Sequence, residues 1–99
     1  MKIIDKEEFN SLIALDNTLV LDIREKYELE DCSLSSSQNI PMSEVENNIE
    51  LLNSFDYVIL MCQSGKRASA LGNYLTTEFK LEHLSVFKAG INAYLEIES

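Results

Sequence analysis

Apolar runs of strand length alternate along this chain with stretches of helical periodicity, and that alternation restricts the fold more than any other feature. Leu19-Val20-Leu21-Asp22-Ile23, Tyr57-Val58-Ile59-Leu60-Met61 and Leu84 to Phe87 read as buried strands, with a shorter first strand at Lys2 to Ile4. Asp5 reads as an N-cap, with Glu7 and Glu8 in the first turn of a helix that gathers Phe9, Leu12 and Ile13 on one face. Ala68, Leu71, Leu75 and Phe79 form an apolar stripe at helical spacing, which predicts a helix over 67–78 facing a sheet. Ser43 with Glu46 predicts a capping box opening a helix through Leu51, and Ile91 to Ile97 a closing helix. Glu25 to Asp31 reads as an exposed turn or short helix and Cys32 to Gln38 as a loop leading to Asn39-Ile40-Pro41. Strands alternating with helices predict βαβ units and a parallel sheet, an α/β fold in which 57–61, 67–78 and 84–87 make one right-handed crossover.

Ninety-nine residues with one Pro, three Gly and no internal repeat predict a single domain over 1–99, with Met1 as an intact start. The net charge of −9 argues against a nucleic-acid partner and against an anionic membrane surface. No stretch approaches the roughly 20 apolar residues that span a bilayer. Met1-Lys2-Ile3-Ile4-Asp5 lacks the pattern of a signal peptide. Cys32 and Cys62 fit neither a disulfide scaffold nor zinc spacing. The expectation is a cytoplasmic protein with free thiols, no metal and no cofactor.

Chemistry is expected beyond the carboxyl ends of the strands, where open parallel sheets bind ligands. Cys62 stands at such an end, before Gln63-Ser64-Gly65-Lys66-Arg67 and a helix. Gly65 can take positive φ, so successive peptide N–H groups can turn inward as an anion nest, reinforced by the helix start. Tyr57 to Thr77 contains no acid, although the chain as a whole is strongly acidic. A local positive site favours the thiolate of Cys62 and any anionic substrate or leaving group. Covalent catalysis by cysteine follows, with no general base required. The alternative is a buried structural Cys closing a strand.

Val58 to Ala68 resembles the active-site strand and loop of rhodanese-like sulfurtransferases. Leu21-Asp22-Ile23-Arg24-Glu25 with Tyr27-Glu28, then Asn39-Ile40-Pro41, then Phe87-Lys88-Ala89-Gly90-Ile91, are similar to three further motifs of that family, in its order. Where the family usually shows Gly-His before the Asn-Ile-Pro turn, this chain has Cys32-Ser33, and Tyr94 stands for the usual Trp of the last helix.

The resemblance implies a five-stranded parallel sheet with helices on both faces. It implies that Cys62 takes a sulfane sulfur from a small anionic donor, thiosulfate or a persulfide, and passes it to a thiol or protein acceptor. Gln63, Ser64, Gly65, Lys66 and Arg67 would cradle the terminal sulfur, with Lys66 and Arg67 attracting thiosulfate and stabilising sulfite. Asp22 and Arg24 would support the loop as an ion pair or meet substrate.

Three other readings stand beside this one. Cysteine phosphatases and arsenate reductases use a Cys, five residues and an Arg, whereas four residues separate Cys62 from Arg67 here. A catalytically silent interaction or regulatory domain of the same fold is the second. A Cys32–Cys62 disulfide that releases sulfur is the third. His83, the only histidine, is expected at the surface, away from the strand ends that carry Cys62.

Overall fold

The computed structural model describes residues 1–30, 37–88 and Gly90. Five parallel strands form one sheet: β1 (Lys2–Ile4), β2 (Thr18–Asp22), β3 (Gln38–Asn39), β4 (Tyr57–Met61) and β5 (Leu84–Phe87). Their order is β1-β5-β4-β2-β3, so β4 lies at the centre with a partner along each edge. A strand enclosed on all sides has no polar face, and Val58 to Met61 are accordingly all buried and all apolar.

Side chains alternate across the sheet and divide the core in two. Leu19 and Leu21 of β2, Val58 and Leu60 of β4, and Leu84 and Val86 of β5 pack with Cys62, Ala68, Leu71 and Leu75. Ala68, Leu71 and Leu75 belong to α4 (Lys66–Phe79), and Val45 and Leu52 reach the same layer from α2 (Met42–Val45) and α3 (Ile49–Asn53). Val20, Ile59, Met61, Ile4 and Phe87 point the other way, onto Phe9 of α1 (Lys6–Ile13). Helices thus lie on both faces. The same parity places Cys62, which continues the row of Val58 and Leu60 and faces α4.

Local chemistry sets most of the boundaries. The Asp5 carboxylate accepts the Glu8 N–H at 2.9 Å and caps α1 as expected. Phe9 meets Phe87 with ring centroids 5.4 Å apart, while Ile13, in the last turn, stays exposed. Phe79 also stays outside and meets Tyr74 edge-on, so the apolar stripe of α4 ends at Leu75.

The segment after Pro41 departs from expectation. The helix starts at Met42, whose N–H donates to the Ile23 carbonyl at 3.0 Å, so the end of β2 fixes the start and Ser43 caps nothing. Pro41 supplies a φ of −53° in front of it, and the chain then breaks into a 3-10 turn at Glu46–Asn48 before α3. β3 is a two-residue strand where the sequence shows only a turn, because two residues carry no periodicity. The expected closing helix at Ile91–Ile97, and Cys32, Ser33 and Tyr94, lie outside the described residues.

The topology marks one place for a ligand. From β2 the chain runs outward to β3, and from β4 it runs the opposite way to β5. The carboxyl ends of β2 and β4 therefore border the switch point of the sheet, where a crevice opens. No helix among the described residues is long and apolar enough to cross a membrane.

Candidate active site

Cys62 is the first residue beyond β4, and the loop after it turns back over its side chain. Gly65 makes that turn in the left-handed region, φ 87° and ψ −16°, and precedes the first residue of α4. The Gly65 N–H then donates to Cys62 Sγ at 3.1 Å and the Ala68 N–H at 3.4 Å. Both are peptide groups at the start of a fourteen-residue helix, which has no intrahelical acceptor for its first N–H groups and carries a partial positive charge there. Sulfur accepts hydrogen bonds weakly as a thiol and more strongly as a thiolate, and both donors are aimed at it.

A second glycine locks the loop from outside. A Cβ on Gly65 would collide with the carbonyl oxygen of Lys88, and one on Gly90 (φ 80°) with the carbonyl of Gln63 and the nitrogen of Ser64. The two backbones lie against each other with no room for a side chain. The Lys88 N–H holds the turn after β5 to the Ile4 carbonyl at 3.0 Å, and so to the sheet. Gln63, Ser64 and Lys66 are exposed, yet Cys62 itself is 0% exposed beneath them. The Cys62 thiol is therefore sunk below a surface loop rather than displayed on it.

Of the five residues expected to form the cradle, Gly65 is the one whose N–H bonds the sulfur, and Ala68, outside that set, is the second donor. The Lys66 ammonium is exposed and makes no ion pair among the described residues. Arg67 differs from the expectation that it stands open to an anion. Its Nη1 and Nη2 donate to Oε1 and Oε2 of Glu28, each at 2.7 Å. This fork-on-fork pair holds the Glu28 carboxyl below its ordinary range and keeps the Arg67 guanidinium charged.

Asp22 and Arg24 form the second ion pair of the crevice, at 0% and 1% exposure. Asp22 Oδ2 accepts Arg24 Nη2 at 2.8 Å, Oδ1 accepts Nε at 3.1 Å, and Oδ1 also accepts the Arg24 backbone N–H at 3.0 Å. Asn39 Nδ2 donates to the Asp22 and Arg24 carbonyls at 2.8 and 2.9 Å. Arg24 Nη1 reaches the Glu28 carbonyl at 3.5 Å. The buried pair thus fixes the exit of β2 and the 3-10 turn at Lys26–Glu30 that presents Glu28 to Arg67. The bonds of Asp22 and Arg24 run to each other, to Asn39 and to Glu28, and they hold this exit and turn.

Sequence reasoning places Glu28 in a motif but does not connect it to Arg67. The usable signal is charge: an arginine inside an acid-free stretch of an acidic chain draws a carboxylate from elsewhere. The interlock at Gly90 leaves only the glycine itself as a trace. His83 sits at the opposite end of the sheet, where its carbonyl accepts the Val58 N–H, and Nε2 lies 2.7 Å from the Leu52 carbonyl. It is half-buried rather than freely exposed. Beside Arg67 a groove of about 470 Å³ is lined by Ile23, Met42, Leu71 and Tyr74, and the Tyr74 hydroxyl donates to Glu46 at its rim.

Comparison with known proteins places this geometry in context. The profile of the Rhodanese-like domain matches residues 5–97. The "Putative sulfur carrier protein YrkF" of Bacillus subtilis is 35% identical over 66 residues, 66% of this chain, and this chain spans only 36% of that protein's length. A rhodanese-related protein of Thermoplasma volcanium superposes with a TM-score of 0.81 at 27% identity, covering 98% of this chain and 93% of that one. The human single-domain sulfurtransferase TSTD1 has the same fold, with a TM-score of 0.81 at 22% identity over 100% of this chain and 99% of that one.

Proposed function

Because the chain belongs to the rhodanese-like domain family, we propose that it is a sulfurtransferase that carries a sulfane sulfur on Cys62 between a small donor and a thiol or protein acceptor. The observation that carries the reading is the pair of peptide N–H groups, Gly65 and Ala68, aimed at Sγ from the start of α4. They supply what a thiolate nucleophile and a persulfide need, fixed dipoles that cost no reorganisation during reaction.

With thiosulfate, the Cys62 thiolate attacks the sulfane sulfur, a new S–S bond forms, and the old bond breaks with its electron pair leaving on sulfite. With a hydropersulfide RS–SH, the same attack releases the thiolate RS⁻ and leaves Cys62–S–SH. An acceptor thiolate then attacks the outer sulfur and returns Cys62 as thiolate. The peptide N–H groups of Gln63, Ser64, Lys66 and Arg67, which do not bond Sγ, are available to the outer sulfur or to a leaving oxyanion. The loop is one residue shorter than the Cys, five residues, Arg pattern of cysteine phosphatases, which suits one sulfur atom better than a phosphoryl group.

The complete burial of Cys62 favours a second reading, a silent interaction domain whose cysteine is structural. Intact-protein mass spectrometry after incubation with thiosulfate or cysteine hydropersulfide separates the two. Sulfur transfer expects a one-sulfur mass gain, removed by cyanide or by a thiol and absent from Cys62→Ser. No gain from either donor returns the chain to the interaction reading.

A further inference from the structure

The geometry points to Glu28 as the residue that sets the charge preference of the Cys62 site, turning it from dianionic donors such as thiosulfate toward donors of lower charge such as alkyl hydropersulfides. The substrate class rests on the sulfur-transfer reading; the charge selectivity does not.

Two cations stand at the start of α4, Lys66 and Arg67, and they would make the loop a natural seat for a dianion. Glu28 removes half of that formal charge. It occupies both outer nitrogens of the guanidinium, so the end-on fork is filled and an oxyanion would have to bind from the Nε side, beside a fixed carboxylate. The carboxylate is well shielded, with its side chain 15% exposed against 38% for Arg67, so solvent weakens its field only partly. It is also held in place from its own turn. The Glu25 N–H donates to Oε1 at 3.3 Å, and the Glu28 carbonyl accepts from Arg24. An anion entering beside Arg67 must therefore either displace a bidentate partner or accept the field of a fixed negative charge. A neutral persulfide sulfur needs only the peptide N–H groups and meets no such penalty.

The test compares alkylation of Cys62 by iodoacetate and by iodoacetamide in the intact chain. Both reagents consume the same thiolate, so their rate ratio reports the charge preference of the site independently of thiolate fraction and of any sulfur chemistry. Glu28→Gln should raise the iodoacetate-to-iodoacetamide ratio about threefold, and the thiosulfate-to-cysteine-hydropersulfide ratio of kcat/KM about tenfold, since thiosulfate carries twice the charge. Glu28→Asp, which keeps the charge and shortens the reach, should leave the alkylation ratio near that of the unaltered chain. An unchanged ratio in Glu28→Gln, or an equal rise in Glu28→Asp, overturns the assignment, because position rather than charge would then matter. A thiol that reacts with neither reagent overturns it as well. A raised ratio in Glu28→Gln without sulfur loading from any donor upholds the role of Glu28 and removes the sulfur-transfer reading.

Discussion

The Gly65 N–H points at Cys62 Sγ from 3.1 Å, three residues along a loop that only a left-handed residue can close. The Cys62 sulfur and the first peptide dipole aimed at it are thus set by one backbone turn. Four consequences of this arrangement and its supports can be measured.

Gly90→Ala should damage the site from the far side of the interlock. Its Cβ would enter the space of the Gln63 carbonyl, and alanine at φ 80° is strained in its own right. A cost of about 1–3 kcal/mol is expected, lowering Tm by roughly 4–8 °C for each kcal/mol, together with a more than tenfold slower sulfur loading of the folded fraction. Gly72→Ala is the control, since a Cβ there meets chiefly the flexible side chain of Met1 inside α4. Equal behaviour of the two variants in thermal melts and loading assays would argue against the clamp.

Asp22→Asn should be among the most destabilising single changes available. It removes the carboxylate that accepts Nε, Nη2 and the backbone N–H of Arg24, a side chain only 1% exposed. Leaving one partner of a buried pair costs about 3–5 kcal/mol. The double variant Asp22→Asn/Arg24→Met should recover part of that loss in urea unfolding, because it removes both members of the pair. A mild effect of Asp22→Asn alone would show that the pair is not desolvated in solution.

Acid should weaken the contact between Glu28 and Arg67 in a defined direction. The carboxyl titrates below its ordinary value in the folded chain because Arg67 donates to it. Its stabilisation is therefore complete above the unfolded value and is lost as the pH falls through the ordinary glutamate range to the lowered folded value. Urea unfolding from neutral pH to about pH 3 should show the gap between the unaltered chain and Glu28→Gln closing over that interval. A gap independent of pH would mean that the pair contributes through shape alone.

His83→Ala should load sulfur at nearly the rate of the unaltered chain. The imidazole lies at the entry end of β4, bonded to the Leu52 carbonyl, with the length of the strand between it and Cys62. Loss of a general base slows a reaction about 10²–10⁴-fold, and a fall of that size in single-turnover mass spectrometry would contradict this placement.

How much of the fold and the site is legible in the sequence depends on how far each feature reaches along the chain. β4 and α4 are readable within a residue or two, because burial on all sides produces an unbroken apolar run and a one-sided helix a regular stripe. Cys62 and Gly65 are readable for the same local reason. The contact between Arg67 and Glu28 joins residues 39 positions apart, and nothing in either neighbourhood encodes the other. At the start of α2 a tertiary contact, the Met42 N–H on the Ile23 carbonyl, overrides the plausible local cap at Ser43. The packing of Gly90 against Gln63 involves backbone atoms only, so no side-chain pattern announces it.

That last contact bears on how such a protein can change over generations. The sulfur seat is drawn in peptide groups, and two glycines guard its outline, while the residues at its lip, Gln63, Ser64 and Lys66, are exposed. Codons at the lip are free to drift without redrawing the seat beneath them. A descendant can thus change what meets the lip by a few surface substitutions, while the peptide seat around Cys62 stays unaltered.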